Sequence, residues 1–412
     1  MMLGKQANMP PNEQAMQGKN FRLSVKVTVA LLVLLSVGML FEAAARFVYV
    51  YRETIQGYPP FSGMLQQGLH LDPYEMPSPG GRYHWILRPG YQATEELLVA
   101  EKKRAGRDFG ARVLQGEIEN RESDGKTLFR INADGFKGPE LDRSHSRPRI
   151  LALGDSTTFG AGAGDYPSVI SKVLNERGIP TEVINGGVEG YFLRNIYFEM
   201  ERYKSLKPEI VTLYVGWNDL FFNVPWDDAL ENLFRSVWLI DRASRAAKAI
   251  FGGRRAYAEK MYNRELKPDP VSPEVKRLNR YVPLFLDRIE NVVEEFESIG
   301  SQVLLVTLPG LFNVSTSPSP RALKIGHLPY YTKNPYVLAK LTERYNAALR
   351  GLAAKRHIQV IDLEKWGTQA LKPKDAHFVD SVHLTGRGLE KIGSYMADQL
   401  ANHLKKLPRE GG

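Results

Sequence analysis

The sequence predicts an α/β protein, a three-layer α/β/α sandwich on a five-stranded parallel sheet preceded by one N-terminal transmembrane helix. Two observations predict it. Beyond residue 150, short apolar runs of strand length alternate with helical stretches at the spacing of a doubly wound sheet. Ahead of them all, near the N-terminus, lies one continuous apolar segment with basic residues before it.

That segment comes first in the chain. Residues 27–41 are apolar apart from Thr28 and Ser36, and the helical run extends over 23–45. About twenty residues are needed to cross a bilayer core, so the flanks must contribute. Lys5, Lys19, Arg22 and Lys26 precede the run against a single acidic Glu13, which predicts a cytoplasmic N-terminus with the rest of the chain on the far side. Ala43-Ala44-Ala45 also satisfies the small-x-small pattern of a cleaved signal peptide. Against cleavage, Glu42 and Arg46 stand one helical turn apart, and Phe47-Val48-Tyr49-Val50-Tyr51-Arg52 reads as an interfacial aromatic belt that continues the helix. Both readings export the remainder of the chain, to the periplasmic or extracellular side.

The chain accordingly divides into residues 1–52, the cytoplasmic N-terminus and anchor; 53–147, a stalk and small lead-in; and 148–408, the sheet domain. The lead-in is rich in proline, glycine and charge, with strand-like pieces at 83–87 and 127–131 and a turn at Asp134-Gly135. In the sheet domain, strands are expected at 150–153, 182–184, 211–215, 303–308 and 358–361, with helices at 166–177 and 337–355. Residues 221–280 read as an insertion carrying Trp226, Phe234, Trp238 and Phe251 and a basic stretch at 242–255, whose default role is to cover the sheet. Residues 309–335 read as a proline-rich loop lining the substrate entrance.

Chemistry concentrates just after the strands, where open α/β sheets place their sites. The first strand stops at Gly154-Asp155-Ser156 and passes into the turn Phe159-Gly160-Ala161-Gly162, a setting for a serine nucleophile. A serine hydroxyl needs a base, a group that orients the base, and donors for the developing oxyanion. Asp380-Ser381-Val382-His383 supplies the first two. Three residues apart on one turn, Asp380 can set the imidazole tautomer of His383 without help from distant packing. Asn218, in Gly216-Trp217-Asn218-Asp219, follows a buried strand and can aim its amide into the crevice. The N–H of Gly190, in Gly186-Gly187-Val188-Glu189-Gly190, is a further candidate donor, with Gly186 and Gly187 as rivals. Trp217 either shapes an acyl pocket or caps the strand end.

No metal site or cofactor is expected. His377 lies six residues before His383 and beside Asp375, but no HExxH or other tight ligand spacing is present, and a chain without cysteine has no thiolate for zinc. His70, His84, His145, His327, His357 and His403 are scattered singly and read as surface or structural residues. At 412 residues and 43% hydrophobic content the chain can bury a full core. Its net charge of +9 is spread without a dominant basic block or nucleic-acid motif, so no nucleic-acid partner is expected.

The four blocks, in this order, resemble the SGNH (GDSL-type) serine hydrolase family over residues 148–408, and the lead-in resembles that of membrane-anchored bacterial members. The first block reads Gly-Asp-Ser-Thr where the family often has Gly-Asp-Ser-Leu. The resemblance implies a flavodoxin-like sheet, Ser156 as nucleophile, His383 as general base and acid, and Asp380 as its orienting partner. It also implies an oxyanion hole of Ser156 N–H, Gly190 N–H and the Asn218 side chain, with Asp219 supporting the turn. The implied activity is ester hydrolysis or transfer of an O-acyl group, acetyl on a carbohydrate first, through an acyl-serine intermediate. The alternatives are a lysophospholipase or lipid esterase, and a non-catalytic glycan-binding or assembly protein on the same fold.

Overall fold

The computed structural model describes residues 11–50, 72–79, 85–104, 127–160, 164–222, 225, 264–283 and 285–407. Five strands form a parallel sheet: β5 (Arg149–Gly154), β6 (Glu182–Gly187), β7 (Ile210–Tyr214), β8 (Gln302–Val306) and β9 (Gln359–Ile361), in the order β6-β5-β7-β8-β9. Ile150 stands opposite Val183 on one side and Ile210 on the other; Val211 pairs with Val303, and Leu305 with Val360. Every residue of β5 and β7 is buried, which is why these strands read as continuous apolar runs rather than alternating ones: helices cover both faces of the sheet. From β5 the chain runs outward to β6, then returns past β5 to build β7. The carboxyl end of β5 is therefore the topological switch point, and Ser156 lies immediately beyond it.

Two groups of helices flank the sheet. Tyr166–Glu176 opens on Asp165, whose carboxylate accepts from Ser168 N–H at 2.8 Å, and packs against Gly386–Leu404. Gly393 permits that approach, since a Cβ there would lie 2.6 Å from the Cβ of Val169. The second group comprises Pro335–Arg356, close to the predicted 337–355, and Leu286–Glu297. Leu286–Glu297 buries Ile289, Val292, Val293 and Phe296, a stripe at helical spacing that faces the core. The predicted loop 309–335 contains a short helix, Pro320–Ile325.

The lead-in contributes two small antiparallel pairs, β1 (Glu75–Pro77) with β2 (Trp85–Leu87), and β3 (Gln92–Ala93) with β4 (Phe129–Arg130). Gly135 takes the turn after Asp134 at φ +77°, and the Asn132 side chain receives Asp134 N–H and Phe136 N–H. Beyond that turn Lys137 bridges to Asn185 of β6, and its ammonium meets Asp165 at 3.1 Å and the carbonyls of Phe159 and Gly160. Tyr74 stacks on Phe159 with ring centroids 5.4 Å apart. The lead-in thus docks beside Phe159 and Gly160, three and four residues beyond Ser156.

Pro11–Val50 is one helix, and its stretch Val25–Ala45 has a mean hydropathy of 2.2. At 1.5 Å per residue those 21 residues span about 31 Å, the thickness of a bilayer's hydrocarbon core. A signal sequence near the N-terminus meets the same test of length and composition. Of the expected insertion 221–280, residues 223–224 and 226–263 lie outside the described residues, with Trp226, Phe234, Trp238, Phe251 and the basic stretch among them. Tyr83 and His84 of the expected strand 83–87 do too, as do His70 and Ala161-Gly162 of the turn after Ser156.

Candidate active site

Gly154 ends β5 where the chain must pass close to its neighbours. A Cβ there would come within 1.9 Å of Thr158 Oγ1 and 2.6 Å of the Tyr214 carbonyl, so only glycine fits. Asp155 then caps the four-residue helix Ser156–Phe159, its carboxylate accepting from Thr157 N–H at 2.9 Å and Thr157 Oγ1 at 2.8 Å. Burial pushes the Asp155 carboxyl up against those two bonds. Ser156 is the first residue of this helix, and N–H groups in a first turn have no intrahelical acceptor.

The Asp380–His383 turn is built by its own side chain. Asp380 Oδ1 accepts from Val382 N–H at 2.8 Å and His383 N–H at 2.7 Å, an Asx turn closed by Val379 N–H on the His383 carbonyl. The second oxygen, Oδ2, is left for His383 Nδ1 at 2.7 Å, and His383 Nε2 lies 2.8 Å from Ser156 Oγ across 227 positions of sequence. The carboxylate only accepts, so Nδ1 carries the proton and Nε2 is the acceptor facing the serine. Burial alone would raise the Asp380 carboxyl. The imidazoles of His383 and His327 and the bonds it accepts outweigh burial and hold it well below the usual carboxylate range, ionised at neutral pH.

Asn218 lies in the helix Trp217–Phe222 after β7, and its amide donates to the Tyr191 carbonyl at 2.8 Å. One of its two amide hydrogens is committed there. Asp219 accepts from Leu193 N–H at 3.0 Å, and burial raises its carboxyl to about 6. Both residues therefore brace the loop that carries Gly190. Val188 O receives Tyr191 N–H at 3.3 Å, and Gly190, at φ +74°, occupies the third position of the turn, which type II turns reserve for glycine. Its rivals are engaged elsewhere: Gly187 N–H donates to Asn185 Oδ1, and Gly186 lies inside the parallel ladder opposite Leu153. Trp217 is buried, and Gly310 lies against its ring edge, so it fills the core at the strand end rather than lining a pocket.

Ser156, His383 and Asp380 are thus brought into one hydrogen-bonded chain, and Asn218 is tied to the Gly190 turn. Sequence reasoning passed over His327. It is buried behind the triad, its ring nearly parallel to that of His383 with centroids 6.5 Å apart, its Nδ1 3.6 Å from Asp380 Oδ2. The Ser381 hydroxyl donates to the His327 carbonyl and accepts His327 N–H, and Phe221 packs on the ring. Burial brings the imidazole down to about 4, so it is neutral at pH 7. A lone histidine in a proline-rich segment carries no local signal for that placement. His377 and Asp375 do not pair: His377 Nδ1 donates to the Pro373 carbonyl, and Asp375 accepts from Ser319. Among the described residues Asp72, Glu75 and Glu189 form an acidic group, with oxygens of Glu75 and Glu189 taking hydrogen bonds from Asp72 N–H and Tyr74 OH.

A family model described as the GDSL-like lipase/acylhydrolase family matches residues 152–391. No curated protein matches the chain. Similar solved structures include a lipase/acylhydrolase from Enterococcus faecalis, 16% identical with a TM-score of 0.37, covering 64% of this chain and 100% of that one. The acetyl xylan esterase AlAXEase is 18% identical with a TM-score of 0.36, covering 61% and 99%. An acetylxylan esterase from Geobacillus stearothermophilus is 15% identical with a TM-score of 0.37, covering 61% and 94%.

Proposed function

Because the chain belongs to the GDSL-like lipase/acylhydrolase family, we propose that it is an exported, membrane-anchored serine esterase that removes or transfers an O-acyl group, acetyl first, on a carbohydrate. The observation that carries this reading is the continuous chain from Ser156 Oγ through His383 to Asp380, with both bonds under 3 Å. His383 Nε2 takes the Ser156 proton as Oγ attacks the ester carbonyl, and the Asp380 carboxylate stabilises the imidazolium that forms. The carbonyl oxygen becomes an oxyanion held by Ser156 N–H, Gly190 N–H and the Asn218 amide. Collapse breaks the bond to the alcohol oxygen, which leaves with the proton from His383, and the acyl group stays on Ser156. Water or a sugar hydroxyl, deprotonated by His383, then attacks the acyl-serine; the acyl group departs and Ser156 recovers its proton.

The family resemblance supports the carbohydrate ester. The apolar stretch Val25–Ala45 and the basic residues Lys5, Lys19 and Arg22 before it support an anchor with the catalytic domain on the periplasmic or extracellular side. The test uses the full chain in detergent with p-nitrophenyl acetate, acetylated xylan and a lysophospholipid, comparing wild type with Ser156→Ala and His383→Ala. Loss of nearly all turnover in both variants, with acetate released from xylan, is the expected result. Equal activity in all three proteins would overturn the assignment of the pair, and turnover confined to the lysolipid would overturn the carbohydrate.

A further inference from the structure

The turn that carries Gly190 is gripped from outside the region that matches the family. Trp85, in β2 of the lead-in, donates its indole N–H to the Glu189 carbonyl at 3.0 Å. Tyr191, on the other side of Gly190, returns a hydrogen bond from its hydroxyl to the Trp85 carbonyl, and the two rings meet edge to face with centroids 5.8 Å apart. Tyr74 OH holds the Glu189 carboxylate at 2.5 Å. The lead-in therefore touches the residues before and after Gly190 with both side chain and backbone.

The geometry of the peptide group makes the Trp85 bond specific. The Glu189 carbonyl and the Gly190 N–H belong to the same planar unit, and the bond between those residues is trans. In a trans peptide the C=O and N–H point in opposite directions, so a donor fixed on the oxygen fixes the direction of the hydrogen. One neighbour of that unit is conformationally free: Gly190 has no Cβ to restrict φ, and type I and type II turns differ by a rotation of this central peptide. The indole N–H therefore supplies a restraint that the glycine cannot supply itself. A hydrogen bond accepted at the carbonyl also polarises the peptide and strengthens its N–H as a donor.

We infer that Trp85 is a positioning residue for the oxyanion hole: its indole N–H, bonded to the Glu189 carbonyl, aims and polarises the Gly190 N–H at the substrate oxyanion. This inference rests on the reading of Gly190 as an oxyanion donor and gives the lead-in a part in the chemistry. Trp85 makes its bond to the carbonyl oxygen of that peptide, on the side opposite the N–H. It acts through one peptide.

The test is Trp85→Phe in the full chain, which keeps an aromatic ring against Tyr191 and removes the donor. With p-nitrophenyl acetate, kcat/KM should fall about tenfold, less than the hundredfold or more expected when an oxyanion donor is deleted outright. Inhibition by trifluoroacetophenone, whose adduct with a serine carries the same oxyanion, should weaken by a similar factor. The acid limb of the kcat/KM profile, which reports the His383–Asp380 pair, should stay in place, and a merely structural role would not separate these readouts. Tyr191→Phe, which leaves the indole intact and removes the bond to the Trp85 carbonyl, should shift both quantities about threefold in the same direction; it carries the test if Trp85→Phe fails to fold. Values within twofold of wild type in every folded variant, or equal loss of oxyanion and pH-profile readouts, would overturn the inference. Ser156→Ala run in parallel separates the cases, since activity surviving in it sinks the esterase assignment itself.

Discussion

Replacing Asp380 by Asn tests the tautomer argument, because the structure dictates how the amide must orient. Asp380 Oδ1 accepts two backbone N–H groups, from Val382 and His383, and Oδ2 accepts His383 Nδ1–H. An asparagine keeps one oxygen, and two backbone donors hold it on the Oδ1 side at about 1 kcal/mol each. The amide NH2 then faces Nδ1 and donates to it, so the imidazole proton moves to Nε2, where it points at Ser156 Oγ and cannot accept the serine proton. Restoring the working tautomer means turning the amide over at a cost of about 2 kcal/mol, and the imidazolium still lacks a charge-assisted bond of about 1.5–3 kcal/mol. Together these remove about 3.5–5 kcal/mol of transition-state stabilisation, roughly two and a half to three and a half orders of magnitude in kcat. KM should change little, since Asp380 is buried behind His383 and does not face substrate. The assay is p-nitrophenyl acetate hydrolysis with the melting temperature of each protein as the control for folding. A loss of less than tenfold in a folded Asp380→Asn protein would refute the orienting role.

Two further outcomes rest on the same geometry. Asn218→Ala deletes a proposed oxyanion donor together with its bond to the Tyr191 carbonyl, and should lower kcat by about 10²–10³; a drop under fivefold would remove Asn218 from the hole. His327 sits near 4 in the fold because of burial, against about 6.5 when unfolded, so between those values the unfolded state binds the extra proton. Its contribution is therefore complete above about pH 6.5 and declines as pH falls toward 4, by about 3 kcal/mol. Asp380, held below its unfolded value, adds a separate loss below about pH 4. Urea unfolding of wild type and His327→Phe at several pH values should show the upper window flattened in the variant and the lower one reduced but still present, since His383 and the bonds Asp380 accepts remain, and parallel curves would contradict the burial argument.

The parts of the site that were legible in the sequence are those set by local chemistry. Asp380 and His383 form their contact inside a single Asx turn, so their spacing alone carried the geometry. Ser156 was legible because β5 is fully buried and ends on residues that cap a helix. The long helix Pro335–Arg356 and the central strands were legible for the same reason: each has enough residues for its period to show. The strands β1 to β4, two or three residues each, are too short to carry a period and depend on the surface they dock against. The helix Leu286–Glu297, absent from the expected elements, carries its own signal in the apolar spacing of Ile289, Val292, Val293 and Phe296.

The contacts that stayed hidden have a common physical cause. Trp85 meets Glu189 across 104 positions and His327 meets Ser381 across 54, and in each pair at least one partner group is backbone, which every residue possesses. A side chain bonded to a main-chain group imposes no residue type on the far side, so no paired motif marks the contact in the sequence. The triad is the opposite case, because each of its bonds joins two side chains that only certain residues can provide. Motif reading therefore finds the groups that exchange protons and overlooks those that aim the backbone. In this fold the second class comes partly from the lead-in, through Trp85 and Tyr74, outside residues 152–391. A chain trimmed to the matched region would keep Ser156, His383 and Asp380 and the braces from Asn218 and Asp219, but the peptide between Glu189 and Gly190 would lose the Trp85 bond to its carbonyl, and the proposed oxyanion donor would be aimed by the turn alone.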